Sequence, residues 1–233
     1  MEIFQELDKK SDTLCHFITR FHDTVEYFLP LPINLSKFHN LRTLKIDEAF
    51  IFEPKFEKNG FQKLENLQMN YIDINIITRM IKNSGGNLRK ILMNDFNSNN
   101  YYEETLVLIR TIYENCPLVE CLSIYFTSSG DHLVEFENLL KACPKLKVLL
   151  LEVHEYVNDI NKDEDKPYEE ERYASSEKLS NVLLRAASIN LREIGFFHYP
   201  KFSPKILGEF LEKWREDGVI EVFKHISRRE VTF

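Results

Sequence analysis

Leu41-Arg42-Thr43-Leu44-Lys45-Ile46 sets out an aliphatic residue, two variable residues, a second aliphatic, one variable residue and a third apolar residue. The order returns as Leu64-Glu65-Asn66-Leu67-Gln68-Met69, Leu88-Arg89-Lys90-Ile91-Leu92-Met93 and Val119-Glu120-Cys121-Leu122-Ser123-Ile124. It returns twice more as Leu146-Lys147-Val148-Leu149-Leu150-Leu151 and Leu191-Arg192-Glu193-Ile194-Gly195-Phe196. A weaker copy, Val25-Glu26-Tyr27-Phe28-Leu29-Pro30, ends in proline. The starting positions 41, 64, 88, 119, 146 and 191 are separated by 23, 24, 31, 27 and 45 residues. A pattern that recurs every 20 to 50 residues or so marks a repeat architecture.

In a strand successive side chains alternate faces, so the second and third apolar residues of each hexamer point the same way. Between the hexamers the apolar spacing switches to that of helices. Ile74, Ile77 and Ile81 form one stripe, and Leu133, Phe136, Leu140 and Cys143 form another. Leu106, Ile109 and Tyr113 mark a helix from Tyr102 to Asn115, and Leu179, Val182, Leu183, Ala186 and Ala187 mark a fourth. Leu207, Phe210, Leu211 and Trp214 suggest a last one, entered at Pro204. A short strand and one amphipathic helix cannot bury their apolar faces alone; stacked copies can. The expected fold is α/β, a single solenoid arc of six or seven repeats with parallel strands on the concave face and helices on the convex face. No phosphate-binding glycine loop occurs, which argues against a nucleotide-binding doubly wound sheet.

The composition agrees with a folded chain. Of 233 residues, 43% are hydrophobic and 29% charged, and the net charge of -7 disfavours nonspecific binding to nucleic acid or an anionic membrane. No apolar run approaches the roughly 20 residues that span a bilayer, and no secretory signal is visible. The expected location is the cytoplasm, with the nucleus open. The four cysteines therefore read as reduced thiols.

The strand hexamers resemble the leucine-rich repeat, and the chain resembles the fungal F-box/leucine-rich-repeat proteins. The likeness rests also on Asn115-Cys116-Pro117-Leu118-Val119, Ala142-Cys143-Pro144-Lys145-Leu146, Lys82-Asn83-Ser84-Gly85-Gly86-Asn87-Leu88 and Ala187-Ser188-Ile189-Asn190-Leu191. It covers roughly residues 20 to 215. The asparagine usual two residues after the third apolar position is missing: Glu48, Tyr71, Asp95, Phe126 and Val153 stand there. In that family an N-terminal F-box binds a Skp1-type adaptor and the repeats select the substrate of an SCF-type ubiquitin ligase. The resemblance thus implies a non-catalytic protein-recognition module without a cofactor. A freestanding repeat scaffold or inhibitor, with no ligase link, is the other reading.

On this view residues 1–24 are an N-terminal helical segment, residues 25–218 the repeat domain and residues 219–233 a tail. Ile3-Phe4-Gln5-Glu6-Leu7 looks like the end of an F-box helix, while Asp8 to Phe21 reads equally as the helix of an incomplete first repeat. An acidic insertion over residues 152–173 holds nine acidic and three basic residues and accounts for the long last spacing. It reads as a solvated loop, or as an acidic lip for a basic partner.

Enzyme chemistry finds no support in the motifs. The histidines form no H-E-x-x-H, and Cys116-x4-Cys121 is not a zinc spacing. Cys116 and Cys143 read as buried small thiols. Ser175-Ser176-Glu177-Lys178 matches S-x-x-K without its companion motifs, and Ser176 is expected to cap the helix carrying Leu179. Ser128-Ser129-Gly130-Asp131-His132 reads as a loop ending in a cap.

The candidate protein-binding residues are those that alternate with the buried positions: Lys45, Gln68, Leu92, Asn94, Ser123, Tyr125, Leu150, Glu152 and Phe197. Leu92, Tyr125, Leu150 and Phe197 are expected to form an exposed apolar track that a partner could bury. The alternative is that the acidic insertion folds back over them.

Overall fold

The computed structural model describes residues 9–20, 37–47, 60–96, 101–127, 129–154, 168–197, 204–205, 208–209, 212 and 221–225. The chain divides into two compact units, Met1–Cys121 and Leu122–Phe233. Each is α/β.

In the first unit strands β1 (His16–Arg20), β2 (Thr43–Asp47), β3 (Asn66–Ile72) and β4 (Lys90–Phe96) lie side by side in chain order, each pair parallel. The hexamers stand in register. Leu44 lies opposite Leu67, which lies opposite Ile91, and Ile46, Met69 and Met93 form the next row. All six are 1% exposed or less, so the second and third apolar positions do share one buried face. Adjacent strands in chain order need a crossover between them. Helix α1 (Ile74–Lys82) supplies the one between β3 and β4, and α2 (Tyr101–Asn115) follows β4.

Helix α1 is short, and its ends are specified locally. Asp73 caps it, its carboxylate accepting the Asn75 N–H at 2.7 Å, and Arg79 and Lys82 stand in the last turn, where cations suit the helix dipole. Ile74, Ile77, Met80 and Ile81 are fully buried, and α1 packs on α2. Gly85 (φ 65°) and Gly86 (φ 78°) then turn the chain through the left-handed region. Its positive φ is what requires glycine at Gly85, and a Cβ there would also approach the Gln62 carbonyl to 3.2 Å.

In the second unit β5 (Cys121–Thr127), β6 (Val148–His154), β7 (Glu193–Phe196) and β8 (Glu221–His225) again neighbour one another in chain order. The pairs β6/β7 and β7/β8 are parallel, the latter with an irregularity at Ile194/Gly195. Helix α3 (Gly130–Ala142) follows β5 and α4 (Tyr168–Ala186) follows β6; the two helices pack together. Leu122, Ile124, Leu149, Leu151, Ile194 and Phe196 on the strands are buried, as are Leu133, Phe136, Leu140, Leu179 and Leu183 on the helices.

One entry device recurs before the strands. The N–H of the first hexamer residue donates to the carbonyl three residues back: Leu41 to Phe38, Leu64 to Phe61 and Val119 to Cys116 in the first unit, Leu146 to Cys143 and Leu191 to Ser188 in the second. Phe38, Phe61, Cys116 and Cys143 are each 1% exposed or less. The two cysteines are therefore buried free thiols at a corner that phenylalanine fills elsewhere. In addition, one carbonyl accepts the N–H groups of two successive residues of the following strand entry. Cys15 accepts from Arg42 and Thr43, Arg42 from Glu65 and Asn66, Glu65 from Arg89 and Lys90, and Arg89 from Glu120 and Cys121. In the second unit Lys147 accepts from Arg192 and Glu193 in the same way.

Three expectations need correction. His16–Arg20 is a strand, not part of a helix: Leu14-Cys15-His16-Phe17-Ile18-Thr19 repeats the hexamer with a polar third position, and the Cys15 carbonyl joins it to the series. Glu221–His225, assigned to a tail, is the strand β8. Ser176 does not cap α4, which begins at Tyr168; Ser176 is buried in its interior, and its carbonyl accepts the Ser180 hydroxyl at 2.9 Å. The hexamer at Val25, the helix stripe at Leu207, Phe210, Leu211 and Trp214, and most of the acidic insertion lie outside the described residues. No described helix is long and apolar enough to cross a membrane.

Candidate binding face

The face of each sheet opposite the helix-packed rows carries the candidate residues. In the first unit Ile18, Lys45, Gln68 and Leu92 occupy one row across β1 to β4, each opposite the next. Exposure falls along that row: Ile18 is 60% exposed, Lys45 and Gln68 are half-buried and Leu92 is fully buried. His16, Thr43, Asn66 and Lys90 form the row below, tied at its centre by Asn66 Nδ2 donating to Thr43 Oγ1 at 3.3 Å. Asn94 keeps its place on β4 opposite Asn70. This face offers amide and hydroxyl groups, which both donate and accept, and ammonium groups, which only donate.

In the second unit the expected apolar track is overturned as an exposed surface. Leu150 is fully buried, Tyr125 and Phe197 are 4% exposed, and Ser123 and Glu152 are buried with them. Leu150 lies opposite Gly195, and the Phe197 N–H donates to the Leu151 carbonyl at 3.1 Å, which sets Phe197 beside Glu152. Leu149 and Leu151 are buried on one face and Leu150 and Glu152 on the other. Strands shielded on both faces read as continuous apolar runs, and Val148-Leu149-Leu150-Leu151 is such a run. Leu92 in the first unit departs from expectation in the same way. These side chains are packed within the fold and do not form an exposed track. Lys45 and Gln68 remain as candidates within reach of solvent.

Ile18 is the residue that sequence reasoning missed on this face. The signal was present in the Leu14 hexamer, but Thr19 in the third apolar position hid it.

The strand entries form a second polar surface. Arg42 pairs with Glu65 at 2.6 Å and Arg89 with Glu120 at 3.1 Å, from equivalent positions of successive hexamers. Such exposed pairs contribute only about 0–1 kcal/mol each, so they order the surface more than they stabilise it.

Three groups with reactive chemistry lie elsewhere in the second unit. His132 is fully buried in the first turn of α3, its Nδ1 2.9 Å from Thr127 Oγ1 and 2.9 Å from Ser129 Oγ. Ser129 is the N-cap, its hydroxyl oxygen accepting the His132 N–H at 3.4 Å, as the sequence suggested. Nδ1 offers a single in-plane hydrogen-bonding position, which the two hydroxyls share. The cluster pins the end of β5 to the start of α3.

Glu137 on α3 accepts from Lys141 Nζ at 2.7 Å and from Arg185 Nε at 3.0 Å, and its second oxygen accepts from Arg185 Nη2. The hydrogen bonds from Arg185 and Lys141 hold its carboxyl down to about 2 and raise the Arg185 guanidinium. Burial pushes the Cys143 thiol up to about 12, so it stays protonated and is a poor nucleophile at neutral pH. Among the described residues no cluster of His, Cys, Asp and Glu could hold a metal ion.

The class these observations define is a parallel α/β protein built from recurring strand entries. No protein-family model matches the chain, and no curated protein is significantly similar to it.

Proposed function

We propose that the chain is a leucine-rich-repeat-like solenoid that acts as a non-catalytic protein-recognition module. The observation that carries this reading is the recurrent strand entry, in which one carbonyl accepts two successive N–H groups of the next repeat at Cys15, Arg42, Glu65, Arg89 and Lys147. Units that make the same bonds to their neighbours are how a repeat protein extends a sheet into a binding surface. Lys45 and Gln68, with the exposed Ile18 beside them, are the residues through which a protein target is engaged. An aliphatic contact bordered by amide and ammonium donors suits a protein surface.

In the ligase form of this reading the target is a substrate for ubiquitination and a Skp1-type adaptor joins the chain to an SCF-type complex. The freestanding form, a scaffold or inhibitor with no ligase link, is favoured by one observation: His16–Arg20, where an F-box remnant would be helical, is a strand. Size-exclusion chromatography with light scattering on the chain mixed with a fungal Skp1-type adaptor separates the two. A stable one-to-one complex supports the ligase form, and its absence with a folded chain supports the freestanding one. Turnover of a substrate by the purified chain would overturn both.

A further inference from the structure

We draw no further inference here: the strongest candidate, the buried side-chain cluster of Thr127, Ser129 and His132 at the start of α3, is accounted for by the capping of that helix, and nothing in the structure points to a ligand at it.

Discussion

Asn87 donates its side-chain amide to the main-chain carbonyl of Gln62, 2.7 Å away and 25 residues earlier in the chain. Asn87 immediately precedes the first leucine of its hexamer, and Gln62 stands two residues before the first leucine of the preceding one. Asn190 makes the same bond to the Pro144 carbonyl at 2.8 Å, and Asn40 makes it to the Asp12 carbonyl. An asparagine thus fastens one strand entry to the previous one in both units. Asn87→Ala should lower stability by about 1 kcal/mol, as should Asn190→Ala, since each removes one hydrogen bond between repeats. Urea unfolding of the variants reads this directly. Unchanged midpoints for both would remove the asparagines from the structural account.

Gly85, Gly86 and Gly130 should rank in a fixed order on replacement by alanine. Gly85 combines a positive φ with a Cβ contact of 2.5 Å, Gly86 has a positive φ but a nearest contact of 3.4 Å, and Gly130 meets nothing within 4 Å. Left-handed backbone costs an L-residue about 1–2 kcal/mol, and at Gly85 the 3.2 Å approach to the Gln62 carbonyl adds to that. Gly85→Ala is expected to be the most damaging, Gly86→Ala intermediate, and Gly130→Ala neutral or slightly stabilising, because alanine is the better helix former. Thermal melts of the three variants check the order.

The Glu137 carboxyl, held at about 2 against an ordinary 4.5, predicts a particular acid response. A group whose folded value is depressed stabilises the folded state above its unfolded value and loses that contribution as pH falls. The α3–α4 link is therefore at full strength above about pH 4.5 and weakens towards pH 2. Glu137→Gln should be less stable than the parent at neutral pH and should show a shallower loss between those two limits. Denaturation midpoints across the acid range, compared between the two proteins, settle the point. Parallel curves would mean that the carboxylate pairing contributes nothing.

Reactivity of the thiols should divide by burial. Cys116 and Cys143 are buried, and Cys143 is held protonated up to about 12. Cys15 and Cys121 are half-buried. Alkylation near pH 8 in native buffer should label Cys15 and Cys121 first, with Cys116 and Cys143 reacting only on denaturation. Mass spectrometry of the alkylated peptides gives the assignment, and early labelling of Cys143 would contradict its burial.

Substitutions separate the buried rows from the candidate face. Leu67→Asp and Leu149→Asp place a charge at fully buried positions and should each cost several kcal/mol. Tyr125→Ala and Phe197→Ala, at 4% exposure, should each cost about 3–5 kcal/mol rather than weaken a partner alone. Lys45→Ala with Gln68→Ala should leave the melting temperature nearly unchanged and reduce target binding. A collapsed fold in that double variant would show that the half-buried row is part of the core.

Local chemistry made much of this protein legible. The hexamers predicted β2 to β7 because strand alternation is encoded within six residues, and the helical stripes predicted α1 to α4 because a helix buries residues three and four apart. Ser129 was legible as a cap because its bond closes over three residues. Strand β1 was not, since Thr19 broke the apolar pattern that pairing with β2 overrides.

Residue order alone encodes which side chains alternate in each hexamer and which positions of each helix form its apolar stripe. Burial of Leu92 in the first unit and of Tyr125, Leu150 and Phe197 in the second, and the exposure of Ile18, arise only in the folded chain, because burial depends on what distant chain lies over a side chain. The same holds for Glu137 and Arg185, 48 residues apart, and for Asn190 and Pro144, 46 apart. Periodicity is a property of neighbours along the chain. A hydrogen bond across such a span exists only once folding has brought its two ends together.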